Sequence, residues 1–120
     1  MKQNNIVLEK SMDFAVRIVR LYQFLCDSKK EFVMSKQVLR SGTSIGANLK
    51  EAMRGQSRAD FCAKVNIALK EASETEYWLE LLYRTDYITK AQFDSIHDDC
   101  TELIKILTSI IKSTRGDIDP

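Results

Sequence analysis

At 120 residues, with 44% hydrophobic and 29% charged content, the chain has the size of one ordinary domain and can bury a core without disulfides or a structural metal. A formal net charge of only +1 excludes a whole-surface polyanion binder. The first ten residues are mostly polar and no apolar run approaches the roughly 20 residues that span a bilayer, so neither a signal peptide nor a membrane anchor is expected.

Three cysteines, Cys26, Cys62 and Cys100, are odd in number and widely spaced. They read as reduced helix-packing residues of a cytoplasmic protein. The only proline is Pro120, and the only glycines are Gly42, Gly46, Gly55 and Gly116, so little interrupts helical structure. A first helix is expected over about 8–28, where Phe14, Ile18, Leu21 and Leu25 recur at helical spacing.

The second helix is expected over about 36–54, with Ser35 as its N-cap and Gly55 as the left-handed residue that ends it. Val38, Gly42, Ile45, Leu49 and Met53 share one face, while Arg40, Ser44, Asn48 and Glu51 form a polar stripe on the other. Gly42 and Gly46, one turn apart, suit the close approach of another helix.

Ser57-x-x-Asp60 is a capping signal for a third helix over about 58–85, whose core line is Phe61, Val65, Ala68, Ala72, Leu79 and Leu82. Thr89-x-x-Gln92 is a capping box for a fourth over about 90–113, where Phe93, Ile96, Cys100, Leu103, Leu107 and Ile110 form a bundle seam. Short connections make neighbours antiparallel. The expected architecture is therefore all-α, a single antiparallel up-and-down four-helix bundle spanning residues 1–120.

Charge is unevenly spread. Residues 35–58 carry five Lys or Arg and one Glu, an excess of +4, whereas residues 59–88 carry three basic and six acidic side chains. Lys36, Lys50 and Arg54 flank the Arg40 stripe, and together with Ser44 and Asn48 they are the donor set that holds phosphate oxygens. On the third helix, Tyr77, Trp78 and Leu81 lie away from the core line and mark a candidate subunit interface.

Catalytic chemistry has little to stand on. His97 is the only histidine, no nucleophile motif accompanies it, and no nucleotide-binding loop is present. Asp94-x-x-His97 is half of a bundle di-metal motif without its other half. No catalytic, cofactor-binding or metal-ligating residue is expected, and the chain does not read as an enzyme.

The run Arg40-Ser41-Gly42-Thr43-Ser44-Ile45-Gly46-Ala47-Asn48-Leu49-Lys50-Glu51-Ala52 resembles the second-helix pattern of the proteins named after the 23S ribosomal RNA intervening sequence. Ser57, Phe61, Ile67-Ala68, Glu74, Glu76 and Leu79 continue the match in register. The chain departs from the family pattern where Lys70-Glu71 replaces Gly-Ser and Lys50-Glu51-Ala52 replaces Ala-Glu-Gly. The resemblance implies a left-handed antiparallel bundle that assembles into a homopentameric ring with a central channel. Related retroelement accessory proteins use such a basic barrel to hold nucleic acid and a reverse transcriptase.

The combined expectation is a non-enzymatic, ring-forming bundle that binds RNA or another nucleic acid through Lys36, Arg40, Ser44, Asn48, Lys50 and Arg54, with Glu51 orienting Arg40 within or between subunits. The alternative is a protein–protein adaptor or structural oligomer with the stripe at a subunit interface. Neither needs a cofactor.

Overall fold

The computed structural model describes residues 2–118, with side chains from 4 to 114. Four helices follow one another: α1 (Lys2–Asp27), α2 (Met34–Met53), α3 (Arg58–Arg84) and α4 (Lys90–Ile118). Contacts run α1 to α2, α2 to α3, α3 to α4 and α4 back to α1, with none across the diagonals. The bundle is therefore four-cornered and up-and-down, about 50 Å long and 22 Å across.

The inward stripes meet as helical periodicity requires. Phe14, Ile18, Leu25, Val38, Ile45, Leu49, Val65, Leu79, Leu82, Leu103 and Leu107 are all buried in one core. The expected core residues Leu21, Met53, Phe61 and Phe93 are half-buried and pack against its edge. Gly42 earns its place by proximity: a Cβ there would lie 2.7 Å from Ile18 Cγ1 and 2.8 Å from its Cγ2. The missing side chain lets α1 and α2 close on each other.

Several helix ends differ from expectation. The first helix begins at Lys2, not near residue 8, because Val7 is fully buried and anchors the extra turns. The fourth runs on to Ile118, past the expected end at 113. Ser35 is not a cap. It is buried inside α2, and the start of that helix is capped by Glu31, whose carboxylate accepts from Val33 N at 3.2 Å and Ser35 N at 2.7 Å.

Gly55 is not left-handed either. The positive-φ residues among those described are Lys30 (φ 52°) and Asp86 (φ 68°). Asp86 closes α3, with Tyr87 N bonded to Leu82 O at 2.9 Å and Asp86 N to Tyr83 O at 3.0 Å, a Schellman ending. The two local caps form as expected. Ser57 accepts from Asp60 N at 3.1 Å, and Thr89 and Gln92 exchange bonds of 2.8 and 3.2 Å.

At mid-bundle, Thr75 Oγ1 lies 2.9 Å from Ser41 Oγ, both residues fully buried between α2 and α3. Among the described residues, no buried side-chain nitrogen or oxygen lacks a hydrogen-bond partner.

Candidate functional site on the outer face of α2 and α3

Arg40 sits nearly two turns into α2 and points across the seam to α3. Its guanidinium pairs with Glu71 at 3.0 Å and with Glu74, and Glu74 also accepts the indole N–H of Trp78 at 3.0 Å. The Trp78 hydrogen bond holds the Glu74 carboxyl below its ordinary range, burial opposes that shift, and Arg40 adds to it. A lowered carboxyl keeps its stabilising charge at neutral pH and loses it only as pH falls through the lowered value. The Arg40 charge is thus already matched within the chain.

The other stripe residues are also turned inward on their own chain. Ser44 Oγ donates to Arg40 O at 2.6 Å, and Asn48 Nδ2 donates to Ser44 O at 2.8 Å. Within the chain Glu51 does not orient Arg40. It pairs with Lys64 of α3 at 3.4 Å. Of the four stripe residues, Arg40 and Glu51 reach across to α3, whereas Ser44 and Asn48 bond back to carbonyls of α2 itself.

Lys36, Lys50 and Arg54 are exposed on the outer side of α2, and none has an ion-pair partner among the described residues. They do not form one cluster with Arg40. Lys36 lies about 20 Å along the helix from Lys50, at 1.5 Å per residue.

The expected interface residues behave differently from one another. Tyr77 is 60% exposed, whereas Trp78 and Leu81 are half-buried. The Tyr77 ring stands edge-on to Trp78 at 5.2 Å and 77°. At the same end of the bundle, the turn before α2 leaves Phe32 and Val33 exposed, at 51% and 73%. Sequence periodicity missed both, because they precede the helix.

The groups weighed for chemistry are tied up structurally. His97 Nε2 meets Glu76 at 2.9 Å, its ring stacks on Phe93, and Asp94 pairs with Lys90 instead. Burial pushes the Cys100 thiol up to about 12, so it stays protonated and poorly nucleophilic at neutral pH. Among the described residues, no three His, Cys, Asp or Glu side chains form a metal cluster, and no helix is long and apolar enough to cross a membrane.

This is an all-α antiparallel bundle with an internally neutralised polar seam beside an exposed aromatic. The chain belongs to the 23S rRNA-intervening sequence protein family, whose family model matches residues 3–109. It is similar to a crystal structure from Bacteroides thetaiotaomicron VPI-5482, titled a protein with unknown function from the S23 ribosomal protein family. The two are 67% identical over 92% of this chain and 98% of that one, with a TM-score of 0.91. No curated protein matches the chain.

Proposed function

We propose that this protein is a self-assembling helical scaffold whose outer α3 face, centred on Tyr77 with Trp78 and Leu81, contacts a neighbouring copy. The observation that carries the reading is the exposed Tyr77 beside an arginine whose charge two carboxylates already offset. Such a surface has apolar area to bury and little charge to attract an anion. Phe32 and Val33 extend the exposed apolar area at that end of the bundle.

Light scattering should give a mass that is a multiple of the chain's, five being the number the family resemblance implies. Tyr77→Asp should shift that mass towards one chain at micromolar concentration while leaving the thermal unfolding of the subunit in place, since Tyr77 makes few core contacts. A wild-type protein that stays monomeric would sink the proposal.

A nucleic-acid role is supported by one separate observation, the unpaired Lys36, Lys50 and Arg54 on the outer side of α2. Binding through these three would be weakly sequence-specific. With single-stranded RNA its log affinity should fall with log salt by about 0.7 for each phosphate contacted. Fluorescence anisotropy with Lys36→Glu and Arg54→Glu tests it: undiminished binding in the double variant, or no binding by the wild type at low salt, excludes these residues as the RNA contact.

A further inference from the structure

Polar ties between α1 and α4 stop at Arg17. Lys10 pairs with Glu102 at 3.1 Å, and two turns further along α1 Arg17 binds Asp99 at 2.6 Å, Ser95 O at 3.1 Å and Ser95 Oγ at 2.9 Å. From there to the turn after α1, no hydrogen bond or ion pair crosses between the two helices among the described residues. The outer layer of the seam is instead an open groove of about 630 Å³. Buried Ile88 and Ile96 form its floor, Val16, Leu21 and Phe24 form the α1 wall, and the small side chains of Ala91 and Ser95 keep the α4 wall low. Val16 is 50% exposed, so this wall still has apolar surface to bury.

Charge around the groove has one sign. Both ionisable residues that line it, Arg17 and Arg20, are basic. Arg17 is matched by Asp99, but exposed Arg20 has only the neutral amide of Gln23, at 3.2 Å on its own helix. Near the turn, Lys29 adds a cation 5.8 Å from the centre of the Phe24 ring. No carboxylate lines the groove: Asp94 and Asp99 on α4 are paired with Lys90 and Arg17, and Asp13 and Asp27 lie two turns to either side of Arg20. An occupant must be apolar where it is buried and acidic beside that stripe.

We propose that this groove receives an acidic amphipathic helix from a partner protein. Length and openness decide for a helix. From Val16 to Phe24 the groove runs about 12 Å, which matches the roughly 10.5 Å between the outer two of three apolar anchors spaced i, i+4 and i+7. A lipid chain of that length would need walls over most of its surface, and here the outer side is open. A helix asks for less, since it buries one stripe and leaves the rest in water. Arg20 lies midway between Val16 and Phe24, so a Glu or Asp beside the central anchor meets it, with a second acid placed towards Lys29. The site lies across the bundle from the Arg40 seam and uses none of the residues of the self-assembly proposed above, so each stands without the other.

The probe is a fluorescein-labelled peptide of about 15 residues with Leu at i, i+4 and i+7, Glu beside them and Ala elsewhere; a twin carries Lys for each Glu. Titrated with the full chain and followed by anisotropy, the acidic peptide should bind roughly tenfold or more tightly than its twin, and Arg20→Glu should remove about that factor. Ala91→Trp, at an exposed position, should fill the groove and weaken binding to a similar degree, whereas Lys105→Glu, outside the groove on α4, should leave it unchanged. Equal affinity for the two peptides, no binding of either, or binding indifferent to Arg20→Glu or Ala91→Trp overturns the proposal. Two other occupants would also overturn it. Decanoate that shifts the Ala91 and Ser95 amide resonances when the peptide does not would give the groove to a lipid chain, and an Ala91→Trp variant whose mass by light scattering falls below wild type would give it to another copy.

Discussion

Gly42→Leu is expected to lower the unfolding free energy by about 3 kcal/mol or more, a large share of the stability of a domain this size. The cause is local. Even one added carbon would fall within 3 Å of two Ile18 carbons. Ile18 is fully buried and β-branched, so it has little freedom to rotate aside. Gly42→Ala sets two effects against each other: alanine gains about 1 kcal/mol in helix propensity, and overpacking takes away about 1 to 3 kcal/mol. A net loss is expected. A double-mutant cycle with Ile18→Ala, read from urea midpoints, should show Gly42→Ala becoming favourable once the isoleucine is gone. A gain in midpoint from Gly42→Ala alone would mean the helices do not approach this closely.

Glu31→Ala should cost about 2 kcal/mol, more than most single substitutions outside the core. Glu31 is only 8% exposed, and its carboxylate accepts from two backbone N–H groups at the start of α2. Its removal leaves those donors without their partner and takes a negative charge from the positive end of the helix dipole. Glu31→Gln keeps one acceptor oxygen and should lose about half as much. Chemical denaturation at neutral pH measures both, and an alanine variant within a few tenths of wild type would show that α2 needs no cap from this side chain.

How far the molecule could be read from its sequence depended on the range of each interaction. The inward positions from Phe14 to Ile110 were legible because helical periodicity alone places them on one face. The Ser57 and Thr89/Gln92 caps were legible because both partners lie within three residues. Glu31 was not, since it reaches the helix from outside and is not a usual N-cap residue type. Gly55 misled because glycine is only the commonest left-handed residue, and here Lys30 and Asp86 take that conformation. The Arg40 stripe was placed on the correct helix, but the partners of its arginine within the chain were not legible. Its partners Glu71 and Glu74 lie 31 and 34 residues away, and no reading of one helix could bring them to it.

The Ser41–Thr75 contact has a consequence beyond its own modest energy. Leucine, valine and alanine stripes tolerate a slide of one turn, because an apolar layer shifted by 5.4 Å still meets apolar neighbours. Two buried hydroxyls tolerate it less well: each keeps a carbonyl of its own helix, Glu71 O for Thr75 and Val38 O for Ser41, but loses the hydroxyl across the seam. The pair therefore acts as a vernier mark between α2 and α3, selecting one alignment from several of similar packing quality. The height of Arg40 opposite Glu71 and Glu74 follows from the alignment that this polar layer helps to select.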